Sequence, residues 1–341
     1  MTPLATRPLG RTGIDITSVG LGSLAIGGAA WVSGRGHQDD ESSIATIQAA
    51  VEAGINWIDT APIYGHGHAE RVVARALKPF SDGDRPYVFT KGGLQWDDTN
   101  PKGQPRKVGD PASLRREVEA SLRRLEVEEI DLYQMHWPPA DGTPVEEYWS
   151  VFVELKQQGK VRAIGLSNHD AQELERAEAV GHVDSMQPPF SAINRGAGED
   201  ILPRCANNET GVIVYAPMES GLLSGGFSST APRRLSADDW RHGHPDFSGE
   251  GLQRNLAVAD AMATVASRHG ATTSAIAVAW TLAWPGVTGA IAGAKDPQQL
   301  ASWVAAGEIA LGTHDLEEIA GAIERSGAGN GSAKPQTSAA R

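Results

Sequence analysis

The strongest constraint on this chain's fold is a rhythm. Eight short apolar runs, at residues 18–23, 55–59, 87–91, 130–136, 161–168, 183–187, 212–215 and 287–292, are interleaved with longer stretches of helical character. Each run is too brief for a helix and reads as a buried strand. Between them, helices are predicted over 40–54, 68–77, 145–158, 171–180, 198–207, 252–269 and 274–283, near 297–305 and over 315–325. One more opens at Asp110-Pro111, with Asp as cap and Pro at the first position, and carries Leu114, Val118, Leu122 and Leu125 as its apolar stripe. Strand followed by helix, repeated, means parallel strands joined by helical crossovers. Eight such units over roughly 300 residues fit a closed (β/α)8 TIM barrel better than an open doubly wound sheet. Residues 1–325 are therefore read as a single α/β domain.

Three additions flank the barrel. Residues 7–16 predict a hairpin, with Gly10 and Gly13 supplying the turn. Residues 219–251, rich in Gly, Ser and Pro, form a long loop after the seventh strand, expected to act as a lid. Residues 326–341, rich in Gly, Ala and Ser, are expected to be a disordered tail.

Composition narrows the class of function. The net charge of −12 argues against a nucleic-acid groove as the main business. Apolar residues make up 40 % and no stretch resembles a membrane span or a signal peptide, so a cytoplasmic protein with no membrane partner is expected. The single Cys205 reads as a small hydrophobe on a helix. His66 and His68, and likewise His242 and His244, lack a further ligand at metal spacing, so no metal is expected.

The polar residues that close the strands point to chemistry. The second strand ends in Asp59, the third in Lys91, the fourth in His136, the fifth in Ser167-Asn168, the sixth in Gln187 and the seventh in Tyr215. In a (β/α)8 barrel these ends meet on the face that carries catalysis. Tyr64 lies on the loop just beyond Asp59. Lys91, oriented by Asp59, is expected to lower the pKa of the Tyr64 phenol. Tyr64 then protonates a carbonyl oxygen that His136 holds by a hydrogen bond. None of these side chains donates a hydride, so a cofactor is expected to supply it. Trp31, Trp96 and Trp137, on loops after the first, third and fourth strands, are candidates to line a substrate pocket.

Several motifs in one order make the chain resemble the aldo-keto reductases over residues 7–325. They are Leu9-Gly10-Arg11-Thr12-Gly13, Gly20-Leu21-Gly22, Asp59-Thr60-Ala61-Pro62-Ile63-Tyr64-Gly65 with Glu70, Lys91, Asp131-Leu132-Tyr133-Gln134-Met135-His136, Gly165-Leu166-Ser167-Asn168, Gln187 and Ile291-Ala292-Gly293-Ala294-Lys295. His136-Trp137-Pro138 and Gln187-Pro188-Pro189-Phe190 look most like bacterial stress- and inositol-operon-type members. The resemblance implies reduction of an aldehyde or ketone with NADP(H), with Asp59, Tyr64, Lys91 and His136 as catalytic tetrad. It also implies a cofactor site: Ser167, Asn168 and Gln187 on the carboxamide, Tyr215 on the nicotinamide, and Gly221, Leu223 and Ser224 in the pyrophosphate loop. Lys295, with Gly293 and Gln299, is expected at the adenosine 2′-phosphate. Ser220, Gly226, Asp296 and Trp303 depart from the family pattern and leave room for NAD. The alternatives on the same fold are an NAD-dependent sugar or alcohol dehydrogenase and a nucleotide-binding regulatory subunit with slow turnover.

Overall fold

The computed structural model describes residues 4–335 apart from 30, 35, 37, 82, 229, 231–238 and 240. A hairpin of β1 (Thr6–Pro8) and β2 (Asp15–Thr17) leads into β3 (Val19–Gly22), β4 (Trp57–Asp59) and β5 (Tyr87–Gly92). A second hairpin, β6 (Leu94–Gln95) with β7 (Arg106–Lys107), follows at once. Then come β8 (Ile130–Met135), β9 (Val161–Ser167), β10 (Ser185–Gln187), β11 (Gly211–Tyr215) and β12 (Gly289–Gly293). Strands β3, β4, β5, β8, β9, β10, β11 and β12 close in that order into a parallel barrel, the (β/α)8 architecture expected.

The helices around it are α1 (Asp40–Glu52), α2 (His68–Leu77), α3 (Pro111–Leu125), α4 (Val145–Gln157) and α5 (Ala171–Glu178), then α6 (Ile201–Asn208), α7 (Gly249–His269), α8 (Thr273–Leu282), α9 (Pro297–Ala301) and α10 (Thr313–Ser326). Their starts follow local chemistry. Asp39, Asp110, Asp170, Thr272 and Asp296 each accept a backbone N–H three residues on, capping α1, α3, α5, α8 and α9. Each such cap stabilises its helix by about 1 kcal/mol. Among the described residues no helix is long and apolar enough to cross a membrane.

The barrel interior is filled rather than open. Trp57, Phe89, Leu132, Ala163, Ile213 and Ile291 pack inside it with Leu9, Ile14 and Ile16 of the first hairpin, which stops the bottom. Trp57 is the centrepiece: its Nε1 donates to the Thr17 carbonyl at 2.8 Å. A Cβ at Gly20 would lie 2.2 Å from its indole, so this strand position tolerates only glycine. With its bottom plugged, the barrel opens at the carboxyl ends of the strands.

The elements depart from the sequence expectation in several places. Strand β4 begins at Trp57 rather than 55, because the Asn56 side chain is spent on β2, accepting from Thr17 N and donating to the Asp15 carbonyl. The sixth helix starts at Ile201, after a short 3-10 turn over Gly196–Gly198. The helix expected to 305 breaks at Ala301 and resumes as a 3-10 turn over Val304–Glu308, with Trp303 at φ −139° and its indole buried. The β6–β7 hairpin has strands of two residues, too short for any periodicity to mark. Finally, residues 327–335 of the expected disordered tail are tied down. Arg195 donates to the Ala328 and Gly331 carbonyls, and Asn330 bridges to Asn194. Residues 336–341 of that tail, and residues 229, 231–238 and 240 of the expected lid, lie outside the described residues.

Candidate active site

The parallel register brings the polar strand ends to one level. Gly22 faces Asp59, Lys91 faces Gln134, Ser167 faces Gln187, and Tyr215 faces Ile291. Above them opens a cavity of about 1340 Å³. Asp59, Tyr64, His136, Ser167, Asn168, Gln187 and Tyr215 all line it.

Beneath the cavity floor lies a buried ion pair. Lys91, 1 % exposed, donates from Nζ to Asp59 Oδ1 at 2.5 Å and to the Thr60 carbonyl at 3.0 Å. The other Asp59 oxygen accepts from Gln187 Nε2 at 2.9 Å and Gln134 Nε2 at 3.4 Å. Gln187 also donates to Gln134 Oε1 at 3.1 Å. A carboxylate so surrounded has its desolvation offset by an opposite charge and by hydrogen bonds.

Tyr64 sits over this pair. The turn after β4 carries it, held by a bond from Tyr64 N to the Ala61 carbonyl at 3.1 Å. The next residue, Gly65, has φ +64° and presses on the backbone of Gly27; a Cβ there would meet the Gly27 carbonyl oxygen at 2.4 Å. This close approach locks the loop that presents the phenol. Lys91 Nζ lies 5.4 Å from the Tyr64 ring centroid. His136 meets the ring edge-on at 6.0 Å between centroids, and Trp31 tilts against it at 5.5 Å.

The protonation states follow from burial. Desolvation, and then the Asp59 carboxylate, hold the Tyr64 phenol well above its ordinary pKa. Desolvation draws the Lys91 ammonium down while Asp59 draws it back up. His136 is held well below the usual imidazole range by burial and then by the Lys91 charge. The net shift of the phenol is thus upward rather than the lowering expected: burial, with the Asp59 carboxylate adding to it, outweighs any pull from Lys91 before a substrate is bound. The result is a protonated phenol and a neutral imidazole at the cavity wall.

A second set of bonds stiffens the neighbouring strand ends. Ser167 Oγ donates to the Gln187 carbonyl at 3.0 Å. Asn168, at φ +64°, donates to the His136 carbonyl at 2.9 Å and accepts from the Tyr215 hydroxyl at 2.7 Å. Beyond β11, Gly221 at φ +97° and Ser224 line the cavity, and Ser224 Oγ folds back on the Gly221 carbonyl at 2.7 Å. Leu223 points away from the cavity into the core, fully buried. At the end of β12, Gly293, Lys295 and Gln299 line the cavity, with Gln299 Oε1 accepting from Lys295 N at 3.1 Å. Asp296 is occupied as the cap of α9.

Two of the three tryptophans proposed for a substrate pocket, Trp31 and Trp137, line the cavity. Trp96 does not; it stacks on His66 at 5.0 Å and donates to Asp98 at 2.9 Å. Three features escaped sequence reasoning. Gln134 is one, although the period of two in β8 turns it inward with Leu132. Lys102 and Lys107, carried into the lining by the second hairpin, are another. The third is Arg241, which also lines the cavity and donates to the Ser220 carbonyl at 3.1 Å while paired with Asp239 at 2.7 Å. No local pattern marks the lysines or Arg241. Among the described residues no three His, Cys, Asp or Glu side chains gather as metal ligands.

Residues 20–324 match the model of the Aldo/keto reductase family. The chain is 37 % identical over 333 residues to the NADH-specific methylglyoxal reductase of Escherichia coli, covering 93 % of this chain and 99 % of that one. It is 35 % identical over 309 residues to the aldo-keto reductase YhdN of Bacillus subtilis, covering 90 % of each. Among solved structures, the glycerol dehydrogenase AKR11B4 of Gluconobacter oxydans superposes with a TM-score of 0.85 at 33 % identity over 98 % of both chains.

Proposed function

Because the chain belongs to the aldo/keto reductase family, whose members are nicotinamide-dependent oxidoreductases, we propose that it reduces an aldehyde or ketone to the alcohol with NADPH, Tyr64 giving the proton. The observation that carries this reading is the protonated phenol set between a charge-paired lysine and a neutral imidazole at the wall of one large cavity.

The residues present fit a dinucleotide. The cavity exceeds the few hundred to about 1,000 Å³ of an ordinary small-molecule site, which leaves room for cofactor and substrate together. Its wall includes the bare backbone of Gly221, Gly226 and Gly293, where side chains would project into the space. Ser167, Asn168 and Gln187 would hold the carboxamide, Tyr215 the nicotinamide ring, Gly221 and Ser224 the pyrophosphate, and Lys295 with Gly293 and Gln299 the adenosine end. Leu223 would serve this loop only through its backbone. When bound, the cofactor supplies the hydride to the carbonyl carbon.

The chain's own work is on the oxygen. Tyr64 donates its proton there as negative charge develops. Lys91, close to the ring and held by Asp59, stabilises the phenolate left behind. His136, neutral, donates a hydrogen bond to the same oxygen and so orients the carbonyl. Burial of all three keeps competing water away.

A second reading, NADH as the physiological donor, is favoured by a specific feature. Ser220 and Gly226 line the cavity without a charge of their own, so neither adds to Lys295 in drawing an extra phosphate. Titration of the tryptophan fluorescence with NADPH and with NADH separates the two. Tighter NADPH binding, abolished by Lys295→Met, upholds the first; tighter NADH binding selects the second. Binding of neither would remove the hydride-transfer reading.

A further inference from the structure

The charges around the cavity are uneven. The chain as a whole carries −12, yet the only described carboxylates lining the cavity are Asp59 and Asp239. Each is already paired, with Lys91 and with Arg241. Among the described residues, four lysine and arginine side chains line the same wall: Lys102, Lys107, Arg241 and Lys295. Lys295 follows β12 and Arg241 follows β11, on the side where a dinucleotide would be held. Lys102 and Lys107 stand elsewhere, and their place needs another explanation.

The second hairpin carries them. Lys107 is the last residue of β7, and its carbonyl accepts from Ala140 N at 2.9 Å, tying the hairpin to the loop after β8. Its Nζ lies 4.1 Å from the centroid of Trp137, the residue after His136. In the closed ring β8 is four strands from β12, and eight strands complete the circle. Lys107 is therefore across the mouth from Lys295 and beside the imidazole that would hold the carbonyl. Neither Lys107 nor Lys102 makes an ion pair with a described carboxylate. An aromatic ring fixes an ammonium in place without neutralising it. The hairpin thus presents one positioned cation, and a second exposed one near its tip, at the substrate end.

We propose that the substrate is an anionic carbonyl compound, an aldehyde or ketone bearing a carboxylate or phosphate, whose charge is received by Lys107 with Lys102 in support. The proposal rests on the reductase reading above. The carbonyl carbon gains the hydride from NADPH or NADH, its oxygen gains the Tyr64 proton, and the anionic group passes through unchanged into a hydroxy acid or hydroxyalkyl phosphate. The net negative surface would repel such a substrate at long range, so a local pair of cations is needed to favour it over neutral aldehydes.

The test compares kcat/KM for matched pairs with saturating cofactor: succinic semialdehyde against butanal, and glyceraldehyde 3-phosphate against glyceraldehyde. The expected result is at least a tenfold preference for one anionic member, the preferred pair telling carboxylate from phosphate. Lys107→Gln lowers kcat/KM for that substrate roughly fivefold, chiefly through KM, and leaves the neutral partner within twofold. Lys107→Arg restores it, and Lys102→Gln has the same effect as Lys107→Gln but smaller. Equal use of neutral and anionic substrates, or equal loss on both in Lys107→Gln, overturns the proposal while leaving the reductase intact. Turnover of neither class would instead bring down the reductase reading, and this proposal with it.

Discussion

Replacing Lys91 by Met tests the reasoning about the buried ion pair. The ammonium is 1 % exposed and the Asp59 carboxylate 3 %, and they meet at 2.5 Å. Lys91→Met leaves that carboxylate in the protein interior with only the Gln187 and Gln134 amides to solvate it. Removing one partner of a buried pair costs about 3–5 kcal/mol. Unfolding entropy of about 2 cal/mol/K per residue gives a chain of this length about 0.7 kcal/mol/K, so the loss appears as a Tm lower by about 4–7 °C. Asp59→Asn removes the charge that Lys91→Met strands, so the double variant should be more stable than Lys91→Met alone. Circular dichroism melts of the four proteins at pH 7 measure the cycle. Unchanged Tm in Lys91→Met, or strictly additive losses in the double variant, would refute the claim that Lys91 and Asp59 share one buried interaction. The same variant should lose reductase turnover, because nothing then stabilises the Tyr64 phenolate.

Three further outcomes are expected. Tyr64→Phe should lower turnover about 10²–10⁴-fold while cofactor affinity stays within twofold, and wild-type turnover should show no step from His136 or Tyr64 between pH 6.5 and 8, since burial keeps one neutral and the other protonated; stopped-flow assays across that range check both. Burial pushes the Glu219 carboxyl from its ordinary 4.5 up to about 7, and one of its oxygens has no hydrogen-bond partner among the described residues. The folded state then holds a proton that the unfolded state releases, so the stability Glu219 contributes is complete below pH 4.5 and lost as pH rises through 7. Urea unfolding at pH 5 and 8 should show Glu219→Gln flattening that decline; equal slopes for the two proteins would dismiss it.

How much of this was legible in the residues depended on the range of the forces involved. Strand β5 begins at Tyr87 and helix α2 runs from His68 to Leu77, as periodicity alone implies, because burial of one face repeats with the backbone geometry. Capping by Asp110 was readable for the same reason: its partner, Ser113 N, is three residues away. The halt of α9 at Ala301 was not, since the burial of Trp303 that ends it depends on distant chain. Nor was the fate of residues 327–335, whose composition reads as disordered until Arg195, more than 130 residues earlier, takes up their carbonyls.

The site divides along the same line. That Asp59, Lys91, His136, Ser167, Gln187 and Tyr215 meet was implicit in the order of the sequence, because a parallel barrel of eight strands puts every strand's carboxyl end on one face. The chain alone thus determined the fold class and the set of polar groups that converge. What only the tertiary structure decided is their electrical state and their company. The direction of the Tyr64 shift depends on how little water reaches the phenol and on how near the Asp59 carboxylate stands to it. The turning of Trp96 onto His66, and the arrival of Lys107 over Trp137, depend on where one hairpin falls. Those are long-range contacts between loops, and no local spacing of residues encodes them.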